Sequence, residues 1–214
     1  MSYEELLKIA REIAQAINLK EDPNKLGEFM NGIFTRVVDD FDLCRRGFQA
    51  RAKVYGDAFE AGFQVVMETF FPEIKLEHTY PIPEICMEDG GEADFVMLRG
   101  RDVKSSSNRI LAVIEAKGSA DHIICDGKVK KLERPGMMRT DTVKKAISNA
   151  AQVKFGLGED VLFIVVTSHK PTSGNAKCMV DMALRSGLFD MIVDITKFEE
   201  LKEMVNKLKE RLST

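Results

Sequence analysis

Two apolar runs set the terms on which this chain can fold. "ADFVML" (Ala93 to Leu98) and "RILAVIEA" (Arg109 to Ala116) are almost continuously hydrophobic, the pattern of strands covered on both faces rather than on one. Layers must therefore lie on either side of the sheet that holds them. A polar loop containing Arg99, Gly100, Arg101 and Ser105 to Ser107 joins the runs, and its length suits an antiparallel hairpin. Yet both runs carry charge where a covered strand should have none. Asp94 stands at the head of the first, and Glu115 and Lys117 at the tail of the second.

The layers are written around these strands. Ser2-x-x-Glu5 is a capping-box pattern, followed by Leu6, Ile9, Ile13 and Ile17 at helical spacing. Asp22-Pro23 opens a second helix whose apolar face is Leu26, Phe29, Met30, Ile33, Val37 and Phe41. A third is expected to be capped by Asp57, with Phe59, Phe63, Val66 and Phe70 buried. The period then changes to two in "IKLEHTY", closed by Pro81 and Pro83. After the hairpin, "TDTVKKAISNAAQVKF" reads as a helix capped by Thr140 or Asp141. "VLFIVVTS" reads as a strand, "NAKCMVDMALRSG" as a helix stopped by Gly187 and "FDMIVDI" as a strand. "KFEELKEMVNKLKERL" is a charged terminal helix, either solvated or a dimer contact. Helices first, then antiparallel strands, then strand–helix alternation describe an α/β protein. The expected architecture is a mixed β-sheet flanked by helices, with a helical N-terminal region. One domain is expected over 1–214: a helical region 1–56, a core 57–195 and a terminal helix 196–214.

Bulk properties narrow the function classes. A hydrophobic share of 44% and a charged share of 30% are those of a globular chain. No apolar run approaches the ~18–20 residues of a membrane span, and the N-terminus lacks signal-peptide character. The expectation is a cytoplasmic protein with no membrane partner. Cys44, Cys86, Cys125 and Cys178 form no C-x-x-C pair and are read as reduced thiols. The net charge is −3, but from Arg101 to Arg139 basic residues outnumber acidic ones nine to five. That patch leaves room for a polyanionic partner. P-loop, G-x-G-x-x-G and G-x-S-x-G patterns are absent, so NTPase, Rossmann and serine-hydrolase readings lack support. His78, His122 and His169 show no metal-ligand spacing, and His78 is assigned to strand packing.

The charged strand ends suggest chemistry. A period of two places Glu115 and Lys117 on one side of their strand, where both can face Asp94. Ala116 turns away and leaves its backbone carbonyl available. Mg²⁺ is bound by oxygen ligands, commonly one or two carboxylates with waters and phosphate oxygens. A cation there would polarise a phosphate and acidify a bound water, with Lys117 orienting that water or countering the developing charge. The implied reaction is phosphodiester hydrolysis.

These residues in this order resemble the PD-(D/E)XK nuclease superfamily. Its core is an acid-bearing helix, a strand, an Asp-bearing strand and a strand ending in acid–x–Lys. Asp94 matches the Asp, with Ala93-Asp94 in place of Pro-Asp, and Glu115 and Lys117 match the acid–x–Lys. Glu60, in "GDAFEAGF", matches the helix acid, with Glu68 as the other choice. The resemblance spans Asp57 to Ile195 and is greatest to type II restriction endonucleases. It implies a restriction-endonuclease-like fold and Mg²⁺ (with Mn²⁺ substituting) held by Asp94, Glu115, the Ala116 carbonyl and Glu60. It also implies a homodimer acting on double-stranded DNA at a short site, leaving a 5′-phosphate and a 3′-hydroxyl, within restriction-modification. Alternatives are a structure-selective repair or recombination nuclease and a non-catalytic nucleic-acid-binding protein. DNA-reading residues are expected in "TSHKPTSGNAK" (Ser168, His169, Lys170, Thr172, Ser173, Asn175) and "ERPGMMRTDT". In the latter, Arg134 and Arg139 would meet phosphate or guanine, and Met137 and Met138 would act as an apolar wedge.

Overall fold

Residues 2–86, 92–99 and 109–213 are described by the computed structural model. Helix α1 (Tyr3–Ala16) starts at the expected capping box: the Glu5 N–H donates to Ser2 Oγ and the Ser2 N–H to Glu5 Oε2. Asp22 caps only a short 3₁₀ turn, Pro23–Lys25, by accepting the Asn24 N–H at 3.0 Å. Helix α2 (Leu26–Asp40) follows it. Helix α3 (Phe48–Phe70) begins behind Gly47, so Asp57 lies inside it and not at its cap. Val54 and Tyr55 extend the buried face of Ala58, Phe59 and Phe63 by a further turn. Tertiary burial of that stripe outweighs the cost of Gly56 in a helix.

The strands form the expected mixed sheet. β2 (Glu92–Leu98) runs antiparallel to both of its neighbours, β1 (Glu77–Pro81) and β3 (Ile110–Lys117). Pro81 ends the edge strand, where its missing N–H interrupts no central ladder. Arg99 N–H donates to the Arg109 carbonyl at 2.6 Å as the hairpin opens. The loop residues Gly100, Arg101 and Ser105 to Ser107 lie outside the described residues. A short ribbon, β4 (His122–Cys125) with β5 (Lys128–Lys131), stands apart from the main sheet. Helix α4 (Thr140–Leu157), β6 (Leu162–Thr167), α5 (Gly174–Arg185), β7 (Met191–Asp194) and α6 (Phe198–Ser213) complete the chain. The sheet order is β1-β2-β3-β6-β7, with β3, β6 and β7 parallel. Among the described residues, no helix is long and apolar enough to cross a membrane.

Each face of the sheet has its own core, which is why the central strands read as continuous apolar runs. Phe95, Ile114, Ala116 and Val166 pack against α2, α3 and α6 through Phe29, Phe59, Phe63 and Leu201, and α1 covers α2 and α3 from outside. Val96, Val113, Phe163 and Val165 pack against α4 and α5 through Val143, Ala150 and Val180. One buried cation belongs to the second layer. Lys154 Nζ donates to Asp190 Oδ2 at 2.6 Å and to the Val161 carbonyl at 2.8 Å. Asp190 also accepts the Phe163 N–H at 2.7 Å, so the pair staples α4 to the edge of β6.

The expectation of four reduced thiols does not hold. Cys44 and Cys125 form a disulfide with Cα atoms 5.7 Å apart, while Cys86 and Cys178 are free and exposed. Their 81-residue separation hid the pairing, because only the ribbon folding back on the Leu43–Arg45 turn brings them together.

Replacing Lys154 with Met should leave the Asp190 carboxylate without its cation. A loss of about 3–5 kcal/mol in urea unfolding is expected. A loss below about 1 kcal/mol would show that the pair is not a structural staple.

Candidate active site

The charged strand ends meet where β2 and β3 stop pairing. Their ladder runs from Leu98↔Ile110 to Phe95↔Ile114. One step further the register sets Asp94 opposite Glu115. Here the Ala116 N–H donates not to a backbone carbonyl but to Asp94 Oδ2, at 2.7 Å. A strand residue turns its N–H and C=O to the same neighbour, so the Ala116 carbonyl also faces this fork. Lys117 Nζ lies 2.6 Å from Glu115 Oε1 and 3.4 Å from Asp94 Oδ2. Asn149 of α4 donates its Nδ2 to Glu115 Oε1 at 3.0 Å. That contact escaped the sequence reading, although Asn149 sits three residues after the buried Ala146 and interrupts an apolar stripe.

A close approach on the other side brings in the helix. A Cβ built on Gly118 would lie 2.0 Å from the Phe59 ring, so β3 exits directly against α3. The next residue along α3 is Glu60 and the preceding residue of β3 is Lys117, and the contact draws them into one electrostatic neighbourhood. Glu60 Oε2 is 2.9 Å from His78 Nε2, and the imidazole stacks on Tyr3 with ring centres 3.8 Å apart. His78 thus packs from its strand, as expected, and also orients an acid. Glu68, the other helix acid considered, pairs instead with Arg11 at 3.1 Å.

Three carboxylates against one amine leave negative charge in excess. Burial first, and then the nearby Asp94, raise Glu60 above the ordinary carboxyl value, against the pull of His78. Burial likewise raises Glu115, which is only 1% exposed, with Lys117 opposing and Asp94 adding. Burial alone would lower Lys117, but Glu115 and Asp94 outweigh it and hold the amine protonated. Among the described residues, no group of three or more His, Cys, Asp or Glu side chains is placed to hold a metal ion. Asp94, Glu115 and Lys117 open onto a cavity of about 620 Å³ between the start of α3 (Phe48, Gln49, Ala52) and α4 (Thr142, Lys145, Asn149).

Of the residues expected to read DNA, Arg139 lines this cavity. It pairs with Asp141 at 2.7 Å and lies 5.2 Å from the centre of the exposed Phe48 ring. Arg134 is drawn to a neighbouring groove. Met137 is fully buried in the second core and supplies no wedge; Met138 is 37% exposed. Ser168 is also buried, and its hydroxyl is committed to Ser119, donating to its carbonyl and accepting its N–H. His169 accepts the Met137 N–H on its carbonyl, and burial holds its imidazole below the ordinary value. Lys170 pairs with Glu200 at 2.5 Å. Thr172, Ser173 and Asn175 are exposed at the start of α5. None of these last six residues lines the cavity.

The two-core mixed sheet with its helical layers is a restriction-endonuclease-like fold. The particular neighbour is restriction endonuclease PspGI, solved in complex with its substrate DNA. It matches over 96% of this chain and 82% of its own, with a TM-score of 0.57 and 14% sequence identity. No family profile and no curated relative matches the sequence.

The raised Glu60 carboxyl has a measurable consequence. The folded state keeps its proton above the pH at which the unfolded chain, with an ordinary value of 4.5, releases it. The folded form then binds more protons, so stability falls as pH rises upward from 4.5. Glu60→Gln should therefore gain stability relative to the parent as pH rises from 4.5 to 8 in thermal melts. A constant difference across that range would contradict the assignment.

Proposed function

We propose that this protein is a Mg²⁺-dependent endonuclease that hydrolyses phosphodiester bonds of duplex DNA at a short recognition sequence. The observation that carries the reading is the convergence of Asp94, Glu115 and Lys117 at the β2–β3 fork, within 3.4 Å of one another through the amine. The fold shared with an endonuclease adds to it.

The donor set suits a hard divalent cation. Asp94, Glu115 and the Ala116 carbonyl supply oxygen, and Mg²⁺ commonly takes only one or two carboxylates, with waters and phosphate oxygens filling the remainder. The excess carboxylate charge that raises Glu115 and Glu60 is the charge a cation would neutralise. When bound, Mg²⁺ (or Mn²⁺) supplies Lewis-acid polarisation of the phosphoryl oxygen and a more acidic water.

The chain's own residues do the rest. Ala116 N–H holds the Asp94 carboxylate in place, and Asn149 does the same for Glu115. Lys117, kept protonated by its two partners, orients the attacking water and offsets the negative charge that builds on the phosphoryl group. Glu60, steadied by His78, would hold a second cation or a bridging water. In-line attack leaves a 5′-phosphate and a 3′-hydroxyl. A homodimer would match a two-fold symmetric site.

Asp94→Ala and Lys117→Ala should each lower the cutting rate by at least about 10²–10³-fold, with the circular-dichroism spectrum and duplex binding retained. A plasmid digest with and without Mg²⁺ provides the measurement. Discrete fragments support the site-specific reading, and cutting of branched DNA alone would point to a repair nuclease. Mg²⁺-independent behaviour, or cutting unchanged in either variant, would sink the assignment.

A further inference from the structure

Beside the acidic cavity lies a groove of the opposite charge. It holds about 360 Å³ between α3 and the β4–β5 ribbon, and its lining includes Arg51, Lys130, Lys131, Arg134 and a single acid, Glu133. Phe48, Ala52 and Arg139 line both spaces, so the two form one continuous trough. Its cations are not drawn into ion pairs as several others on the surface are. Arg11, Arg36, Lys177 and Lys209 each face a carboxylate at 2.6–3.1 Å. Among the described residues, Arg51, Lys130, Lys131 and Arg134 have no such partner. Like charges gathered without counter-charge repel one another and favour a polyanion.

The ribbon holds these lysines rigidly. Asp126 and Gly127 both have positive φ (50° and 72°), as a two-residue hairpin turn requires. "CDGK" carries this signal in the sequence. Ile123 is buried, and Cys125 is bonded to Cys44, so the ribbon is fixed to the helical layer along β4 and next to its turn. Lys128, Val129, Lys130 and Lys131 are all exposed.

We infer that this groove is a track for the phosphate backbone of duplex DNA leading away from the β2–β3 fork, with Lys130, Lys131, Arg51 and Arg134 neutralising successive phosphates. The inference rests on the nuclease reading and adds to it the path of the substrate. The fork cannot supply that path itself, because its carboxylates repel phosphate. The ribbon is also narrow enough to lie along a groove of the duplex.

The test is the salt dependence of binding, with cleavage suppressed by leaving out divalent cations. Fluorescence anisotropy with a labelled duplex should give a slope of log K against log[salt] that is shallower by about 1.8 in Lys130→Gln/Lys131→Gln than in the parent, at about 0.9 per lost phosphate contact. Lys8→Gln, on α1 away from the trough, should leave the slope unchanged. Normal DNA binding with an unaltered slope in the double variant would overturn the track while leaving the nuclease reading intact. A parent protein that neither binds nor cuts duplex DNA would overturn both.

Discussion

The Lys117 amine between Glu115 and Asp94 is the interaction around which this region is organised. Glu115 is nearly without solvent, and a charge so placed is tolerated only when it is paired and hydrogen-bonded. Lys117 and Asn149 meet that requirement from β3 and α4, and Asp94 is held by the Ala116 N–H. Three elements are thereby locked together by polar contacts at the point where the β2–β3 ladder gives out. Lys154 shows the contrast. It is more deeply buried, 6% exposed against 25% for Lys117, and it spends its donors on Asp190 and on backbone carbonyls at the edge of β6. One lysine closes a structure and the other stands at the mouth of an open one.

Glycine at 118 decides how near the helix can come. With a ring carbon of Phe59 2.0 Å from where a Cβ would stand, any larger residue would force α3 and β3 apart. Since Glu60 and Lys117 flank that contact, the separation of the helix acid from the strand amine is set by packing in the first core rather than by polar attraction. A hydrophobic contact thus controls an electrostatic distance.

Much of this was legible in the chain. Continuous apolar runs revealed strands covered on both faces, because two cores leave no wet side. The two-residue period also put Glu115 and Lys117 on one face. Other features rest on partners distant in sequence. The start of α3 at Phe48 depends on burial of Val54 and Tyr55, which local capping signals at Asp57 could not outweigh. Asn149 becomes informative only once α4 lies over β3. Met137 and Met138 are adjacent and chemically alike, yet one is in the core and the other at the surface. The β4–β5 ribbon was written plainly in Asp126-Gly127 and passed over, because its strands are too short and too charged to stand out as a hydrophobic pattern.

The Cys44–Cys125 bond gives the chain a covalent topology as well as a contact. The closed ring runs from the turn before α3 to the tip of β4, and it contains Glu60, His78, Asp94, Glu115 and Lys117. In the chain-entropy picture, a loop of this length removes about 4.5 kcal/mol of freedom from the unfolded ensemble. That restraint falls on the segment carrying the acids and the amine. Helices α1 and α2 before Cys44, and β5, α4, β6, α5, β7 and α6 beyond Cys125, lie outside the ring, and of these α4 reaches back to the knot of charge through Asn149.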